Sequence, residues 1–218
     1  MKYSPSEENY IKNIYHLQVP GQGVSATMLA ANTHTKAASV TEMLKKLHRK
    51  KLINYKPYQN FTLTESGNRI ALEIIRKHRL WEYFLVHKLG FQWDEVHEIA
   101  EELEHIRNKD LVQKLDQYLD FPSFDPHGDP IPDRNGKMKA IRQTCLADIP
   151  VKKTVTVNAI TQQSTQMHQL MKHYGIAIGT RLKVNRHFAF DGSVEIKIDK
   201  LPPAVLSALL AKNIFCTI

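Results

Sequence analysis

The sequence is poor in cysteine and has no long apolar run. Its 218 residues contain two cysteines, Cys145 and Cys216, which lack the close spacing of thiolate zinc ligands and are too few for a disulfide framework. No apolar segment approaches the roughly 20 residues that a transmembrane helix requires, and the first residues lack the apolar stretch of a signal peptide. No internal repeat or low-complexity tract is present. These absences predict a cytoplasmic protein, and the chain is long enough for two or three small domains.

Charge divides the chain into three parts. Lysine and arginine outnumber aspartate and glutamate by 30 to 22, which gives a formal net charge of +8. Residues 1–63 carry nine basic and three acidic side chains, residues 64–137 carry ten and fifteen, and residues 138–218 carry eleven and four. Segments that differ so much in charge are expected to have different roles. We predict a basic N-terminal domain (1–63), an acidic middle domain (64–137), a linker (138–152) and a basic C-terminal domain (153–218).

The first domain has the pattern of a winged helix-turn-helix. Polar caps precede three segments with helical spacing of apolar residues, at Ser4, Ser25 and Thr35. Ser4 is followed three positions later by Glu7, as in a capping box. The third helix is expected over residues 35–51, and two short strands at 52–55 and 61–63. Three helices and a hairpin in this order are typical of domains whose third helix enters the major groove of DNA.

The same region carries candidate DNA-contacting side chains. Small and polar residues early in the third helix permit close approach to base edges, and lysines extend a basic surface towards the phosphates. An alternative is that the lysines form only the solvated face of an amphipathic helix and that the hairpin tyrosine is a packing residue. The hairpin and the local positive charge favour double-stranded DNA as the partner. The candidates are Lys36, Ala37, Ser39, Thr41, Glu42, Lys45 and Lys46 in the helix, and Lys56 and Tyr58 in the hairpin.

The middle domain is expected to be helical, and the C-terminal domain mainly β. Helices are predicted from the cap at Thr64 to the stop at Gly90, and at 94–105, 110–119 and 164–174. The stretch 121–132 contains four prolines and is not expected to be helical. Polar and apolar residues alternate as in half-buried strands at 154–157, 181–184 and 193–198. The predicted fold class is therefore mainly α with small β parts.

Two consecutive predicted helices of the middle domain present histidine and carboxylate side chains at helical spacing. These residues are His78 and Glu82 in one helix, and His97, Glu101, Glu104 and His105 on one face of the next. Such a cluster is costly to bury unless a cation neutralises the carboxylates and orients the imidazoles. Oxygen and nitrogen ligands suit Mn²⁺ or Fe²⁺, and Zn²⁺ or Co²⁺ is expected to substitute in vitro. The alternative is a solvated charged face without metal. His127, in the proline-rich stretch, is expected to be structural.

Six short stretches, by their order and spacing, connect the chain to a known family. They are NYIKNIY (9–15), ASVT (38–41), LTESG (63–67), RKHRLWE (76–82), the histidine–glutamate helix (96–105) and GDPIP (128–132). With these stretches the chain resembles, over nearly its whole length, the diphtheria toxin repressor family of metal-dependent transcriptional regulators. The resemblance implies a winged-helix domain, a helical dimerisation domain and an SH3-like (FeoA-like) domain. It also implies a homodimer that binds operator DNA when Mn²⁺ or Fe²⁺ is bound and represses metal-uptake genes.

The resemblance further implies two metal sites per subunit. By position, the ancillary site corresponds to His78, Glu82 and His97, and the primary site to Asn9, Glu101, Glu104 and His105. Iron-responsive members have methionine at the position of Asn9 and cysteine at that of Glu101, whereas manganese-responsive members have acidic residues at both. Glu101 therefore matches the manganese type and Asn9 matches neither. Lys12 stands where some manganese regulators have another carboxylate, and its ammonium is expected to weaken or replace a second cation.

Two details of that resemblance stay open in the sequence. In some members the C-terminal domain lends ligands to the ancillary site, at positions that correspond here to Ser164 and Met167, with Gln163, Gln166 and His168 nearby. The dimer surface is expected among apolar residues of the middle domain. The candidates, which equally suit the core of a single chain, are Leu80, Trp81, Phe84 and Leu85.

Two other functions are compatible with the sequence. A winged-helix regulator that binds DNA without metal would keep its acidic face for a protein or small-ligand effector. A di-metal hydrolase would use similar ligands, but no separate nucleophile or base is evident, so we do not expect an enzyme. The choice between Mn²⁺ and Fe²⁺ stays open, because ligand type does not separate two such similar cations.

Overall fold

The N-terminal domain is a three-helix unit followed by a short hairpin. The computed structural model describes residues 3–19, 21–93, 95–139, 142–161 and 165–217. The first elements are α1 (Pro5–Leu17), α2 (Ala26–Asn32), α3 (Ala37–Arg49), β1 (Ile53–Asn54) and β2 (Thr62–Leu63). The strands pair antiparallel, with Ile53 opposite Leu63. Their apolar side chains and those of the helices form one core, which includes Ile11, Ile14, Leu29, Val40, Leu44 and Phe61. The predicted winged helix-turn-helix is confirmed.

Local capping explains where two of these helices begin. The Ser4 hydroxyl accepts from the Glu7 backbone N–H at 3.3 Å, and the Glu7 carboxylate accepts from the Ser4 N–H at 2.8 Å. Ser25 caps α2 in the predicted way, because its hydroxyl accepts from the Met28 N–H. The prediction of Thr35 as the cap of α3 is wrong. Lys36 is the N-cap residue, and the Thr35 hydroxyl hydrogen-bonds instead to Tyr10 of α1 at 3.1 Å.

The middle domain is built on one long helix. It comprises α4 (Glu65–Leu89), α5 (Val96–Leu103) and α6 (Lys109–Tyr118). Thr64 caps α4 and Gly90 ends it with a left-handed backbone, as predicted. The helix α5 is shorter than predicted, so Glu104 and His105 lie beyond its last turn. The side chains of Leu80, Trp81 and Leu85 are buried within this chain and Phe84 is partly buried, so these residues fill the core of the single chain.

The C-terminal domain is a six-stranded antiparallel sheet with two helices. The strands are β3 (Thr144–Cys145), β4 (Thr154–Ile160), β5 (Arg181–His187), β6 (Val194–Ile198), β7 (Ala204–Leu206) and β8 (Ile214–Thr217), and the helices are α7 (Thr165–Tyr174) and α8 (Ala208–Lys212). The strand order is β3-β8-β4-β5-β6-β7. The sequence pattern did not predict β3, β7, β8 or α8. The strand β3 lies within the stretch 138–152, where a linker was expected. Among the described helices, none combines the length and the apolar character that a membrane crossing requires.

Candidate metal centre and DNA-binding surface

Glu82 of α4 lies at the centre of a cluster of ionisable side chains. Its side chain is 2% exposed. Its Oε1 lies 2.9 Å from His78 Nε2 and 3.4 Å from His97 Nδ1, and its Oε2 lies 3.6 Å from His127 Nδ1. Burial raises the pKa of Glu82, but His127, His78 and His97 lower it further, so its pKa lies well below the usual range. The structure thus brings His78, Glu82 and His97 together, as the sequence predicted, and adds His127.

His127 is the residue of this cluster that sequence reasoning missed. Its Nε2 lies 2.8 Å from the backbone oxygen of Trp93, and because a carbonyl only accepts, Nε2 carries the hydrogen. In the neutral ring Nδ1 is then unprotonated, yet it faces Glu82 at 3.6 Å and Asp125 at 3.9 Å. Nδ1 is buried and has no hydrogen-bond partner among the described residues. A lone pair opposite two buried carboxylates is unfavourable unless a proton or a metal cation lies between them. The signal in the sequence was a histidine flanked closely by aspartates in a loop.

The charge of this buried corner is unbalanced. Burial raises the pKa of Asp125, as do the carboxylates of Glu82 and Asp129, and His127 and Arg79 offset only part of this, so that the pKa reaches about 7. Burial lowers the pKa of His127, but the Glu82 and Asp125 carboxylates and the Trp93 carbonyl raise it more. A raised pKa of this carboxyl group is the expected effect of burial beside two other carboxylates, which a nearby cation would offset.

Two sets of three side chains each bring ligand atoms within 4.8 Å of one another. The first set is His78, His97 and Glu101, and the second is Glu82, Asp125 and His127. All three members of the second set are buried. Both sets offer imidazole nitrogen and carboxylate oxygen, which suit Mn²⁺ or Fe²⁺. The unpartnered His127 nitrogen and the excess of buried carboxylate fit a divalent cation.

The other predicted set, Asn9, Glu101, Glu104 and His105, does not converge on a common point. The Lys12 ammonium of α1 lies between two of its members, 2.6 Å from Glu101 Oε1 and 2.7 and 2.8 Å from the two oxygens of Glu104. The Lys12 side chain is 9% exposed and that of Glu104 is fully buried. Burial raises the pKa of Glu104, but His78 and Lys12 lower it more.

The remaining members of that set face elsewhere. His105 Nδ1 lies 2.6 Å from Glu8 Oε2 of α1, because α5 has ended before His105 and the chain has turned towards α1. The Asn9 side-chain oxygen is buried and has no hydrogen-bond partner in the described part of the chain. Helical spacing predicted that Glu101, Glu104 and His105 share one face of a helix, but α5 ends at Leu103 and His105 turns towards α1.

A continuous chain of contacts joins Lys12 to the cluster around Glu82. His78 Nδ1 lies 2.7 Å from Glu104 Oε2, while its Nε2 contacts Glu82. Burial lowers the pKa of His78, but the two carboxylates raise it to about 9. The ring therefore donates from both nitrogens as an imidazolium, and the sequence of contacts runs from Lys12 through Glu104 and His78 to Glu82.

The C-terminal domain approaches the cluster through its backbone. The Ile160 N–H of β4 donates to the His127 carbonyl at 3.2 Å. Gly128, at φ 87°, lies against β4 so closely that a Cβ would be 1.8 Å from the Asn158 carbonyl oxygen. Of the proposed contributors from this domain, Met167 is buried in its core and Gln166 is exposed. The positions 163 and 164 and the His168 side chain lie outside the described residues.

The predicted DNA-contacting residues share the outer face of α3 and the hairpin tip. Val40, Leu44 and Leu47 face the core. The opposite side chains that are exposed are Lys36, Ala37, Ser39, Glu42, Lys45 and Lys46. Thr41 is half-buried, and its hydroxyl donates to the Ala37 carbonyl. Lys56 is exposed and Tyr58 fully so, which excludes a packing role for Tyr58 within the chain.

Three ion pairs modify the charge of this surface. Glu42 and Lys45 pair at 2.9 Å on the exposed face of α3. Lys46 and Lys50 lie 3.3 and 2.6 Å from the buried Glu7 carboxylate of α1. Lys46 therefore helps to hold α3 against α1 in addition to presenting charge.

Comparison with known proteins gives matches to three domain families in the order of the three units. Residues 2–61 match the iron dependent repressor N-terminal DNA binding domain, residues 64–133 match the iron dependent repressor metal binding and dimerisation domain, and residues 144–218 match the FeoA domain.

Individual relatives give the same result. The chain is 32% identical over 125 residues to the iron-dependent repressor IdeR of Mycobacterium tuberculosis, an alignment that covers 57% of this chain and 54% of that protein, so the chain spans about half the length of such relatives. It is 26% identical over 188 residues to the diphtheria toxin repressor of Corynebacterium efficiens, with 81% of each covered. A manganese-dependent transcriptional repressor solved in complex with manganese superposes with a TM-score of 0.85 at 35% identity, over 96% of this chain and 98% of that one. The manganese regulator SloR superposes with a TM-score of 0.76 at 30% identity, over 99% of each chain.

Proposed function

This chain belongs to the diphtheria toxin repressor family of iron- and manganese-dependent regulators, and from that premise we propose that it is a transcriptional repressor of metal-uptake genes that binds operator DNA when Mn²⁺ or Fe²⁺ is bound. The observation that carries the proposal is the buried cluster around Glu82, where donor atoms converge from α4, α5 and the loop that contacts β4. The exposed basic face of α3 and the hairpin tip supply the DNA-binding surface.

The residues that would hold the cation are Glu82, Asp125 and His127, all of which are buried, with His78 and His97 beside them. Glu101 completes a second set with these two histidines, but its Oε1 lies 2.6 Å from the Lys12 ammonium. A divalent cation bound there would supply positive charge beside the buried carboxylates and would take the place of protons on the imidazoles. The Trp93 carbonyl holds the His127 ring with Nδ1 directed at Glu82 and Asp125. Glu104 orients His78 in the same manner by accepting from Nδ1, as carboxylates behind metal-binding histidines commonly do.

The proposed partners are a double-stranded operator and a second copy of the chain. Helix-turn-helix dimers present their recognition helices to half-sites roughly 34–36 Å apart, so the angle between the N-terminal and middle domains decides whether both helices fit. Side chains of α1 contact the end of α5 between these two domains. We propose that a cation bound at Glu82 favours, by population shift, the domain arrangement in which both recognition helices of the dimer fit the operator. With chromosomal DNA as its partner the protein acts in the cytoplasm, and the proposal is of a regulator and not of an enzyme.

The proposal is tested by fluorescence anisotropy at fixed salt with DNA duplexes selected from a random-sequence library, with one selection in chelator and one in Mn²⁺. We expect Mn²⁺ or anaerobic Fe²⁺ to tighten binding about tenfold or more, which corresponds to about 1.4 kcal/mol of coupling. His97→Ala and His127→Ala are expected to lose this response. His173→Ala, an exposed histidine of α7, is the matched control and should retain it.

Affinity that does not change with chelator or metal would refute the metal response and favour a metal-independent winged-helix regulator. If the metal response persists in both His97→Ala and His127→Ala, the chain is a metal-dependent regulator but the cluster around Glu82 is not its metal sensor.

A further inference from the structure

Lys12 is a buried cation that projects from the DNA-binding domain into the middle domain. Its side chain is 9% exposed, and its Nζ contacts Glu101 Oε1, Glu104 Oε1 and Glu104 Oε2 at 2.6, 2.7 and 2.8 Å. An ammonium group has three hydrogens, so these three contacts use its full donor capacity. The partners lie 89 and 92 positions away in the sequence.

The two carboxylates that Lys12 contacts are otherwise suited to a divalent cation. They lie at the end of α5, beside His105 and within reach of α1, and Glu104 is fully buried. A metal ion bound by the same three oxygens would lie within a few ångströms of the ammonium, where like charges in a poorly hydrated site repel strongly. The residues present therefore do not fit a metal ion at this position.

We propose that Lys12 permanently replaces a metal ion between α1 and the end of α5, and that this link between the DNA-binding and middle domains forms without metal. The neighbouring contact supports this arrangement, because His105 also reaches α1 directly, through Glu8 at 2.6 Å. Glu104 then supports the His78 ring and is not itself a ligand. Metal binding is confined to the cluster around Glu82, with Glu82, Asp125 and His127 as its buried set. The inference rests on the proposed function for its regulatory consequence, but the number of bound ions does not depend on DNA binding.

The test measures how many Mn²⁺ ions bind per subunit of the full-length protein after a chelator has removed its metal. Electron paramagnetic resonance quantifies the Mn²⁺ that stays free, and the bound number follows by difference. Lys12→Glu removes the ammonium and adds a carboxylate, and we expect it to bind one Mn²⁺ more than the wild-type chain. Lys114→Glu makes the same charge change at an exposed position of α6 and should bind as many ions as wild type. Equal numbers for wild type and Lys12→Glu would overturn the proposal, as would a manganese anomalous-scattering peak between Glu101 and Glu104 in crystals of the wild-type protein.

A second variant keeps the proposal testable if Lys12→Glu does not fold. Lys12→Met retains the length of the side chain without its charge, and leaves Glu101 and Glu104 without a cation. We expect its melting temperature in chelator to fall below that of wild type, and Mn²⁺ to raise it by more than it raises that of wild type. An equal rise in both proteins would contradict the proposal.

The two proposals fail in different ways. If the wild-type chain binds no Mn²⁺ and Lys12→Glu binds one, Lys12 does replace a metal ion, but the proposed metal response of the repressor is lost. If the wild-type chain shows metal-dependent DNA binding and Lys12→Glu binds no additional ion, the proposed function stands and the role assigned to Lys12 is wrong.

Discussion

Glu7 connects α1 to α3 through a buried carboxylate, and replacing it tests how firmly α3 is held. The side chain of Glu7 is 2% exposed, and its Oε1 lies 2.6 Å from Lys50 Nζ and 3.3 Å from Lys46 Nζ. Its Oε2 accepts from the Ser4 N–H. One carboxylate thus completes the capping box of α1 and holds the last turn of α3. We expect Glu7→Gln to weaken both.

The magnitude follows from the pKa of the carboxyl group. Burial raises the pKa of Glu7, but Lys50, the Ser4 N–H and Lys46 lower it more, from 4.5 to about 2. At about 1.4 kcal/mol per pKa unit, this lowering is worth at most about 3 kcal/mol. The lysine side chains are 24% and 46% exposed, so solvent screening reduces the value to about 1–2 kcal/mol. Because the pKa is lower in the folded state, this stability is fully present above pH 4.5 and is lost as the pH falls towards 2.

The assay is urea unfolding of the chelated protein at pH 7 and at several lower pH values. Glu7→Gln is expected to lower the free energy of unfolding by about 1–2 kcal/mol at pH 7, with a difference from wild type that shrinks between pH 4.5 and pH 2. Glu42→Gln is the control, because this glutamate of the same domain also pairs with a lysine but its side chain is 72% exposed, and solvent screening should make its effect clearly smaller than that of Glu7→Gln. The reasoning is refuted if the two variants lose the same stability, or if the Glu7→Gln difference does not change with pH.

Three further predictions concern other parts of the molecule. Gly128→Ala places a Cβ 1.8 Å from the Asn158 carbonyl oxygen at φ 87°, so it should lower the free energy of unfolding by about 2–4 kcal/mol and weaken Mn²⁺ binding through His127. Gly21→Ala is the control, because Gly21 has φ 78° but no atom within 4 Å of the added Cβ, and it should lower the free energy of unfolding by only about 1 kcal/mol. Thermal unfolding and Mn²⁺ titration measure both, and equal costs would show that the Gly128 loop relaxes. Asp116→Asn removes the charge that the buried Arg76 contacts at 2.6 Å and should cost about 3 kcal/mol in urea unfolding; a loss below 1 kcal/mol would show that the guanidinium finds another partner. Lys56→Ala should leave the melting temperature unchanged and lower the salt dependence of DNA binding by about one phosphate contact; an unchanged slope would place the hairpin away from the DNA backbone.

The sequence predicted those features that depend on neighbours a few positions away. The capping residues Ser4, Ser25 and Thr64 act over three positions, and the core face of α3 follows from helical periodicity. The start of α3 was mispredicted because the Thr35 hydroxyl has a partner 25 positions away, in Tyr10 of α1. The strand β8 pairs with β3 and β4, which lie far from it in the sequence, and its short sequence has no clear alternation of its own.

In the candidate metal centre, too, some contacts follow from local spacing in the sequence and others do not. His78 and Glu82 are four positions apart on one helix and contact each other as helical spacing requires. His127 reaches Glu82 only because a non-helical loop folds back against α4 and β4. The local sequence marks that position only by the flanking Asp125 and Asp129, which does not predict contact with α4.

The contacts of Lys12 change what a metal ion at Glu82 has to do. With α1 already joined to α5 by the ammonium and by the Glu8–His105 contact, a cation at Glu82 would modify the link between the two domains and would not create it. Its effect would reach Lys12 through the contact of His78 with Glu104 and the contact of Glu104 with Lys12. A ligand shifts an equilibrium only by its difference in affinity for the two states, and a link that exists in both states reduces that difference. We therefore expect a smaller metal response in the wild-type chain than in Lys12→Glu, in which the additional ion would itself join α1 to α5. A larger or equal response in the wild-type chain would show that the coupling runs through another route, such as the contact of the His127 loop with β4.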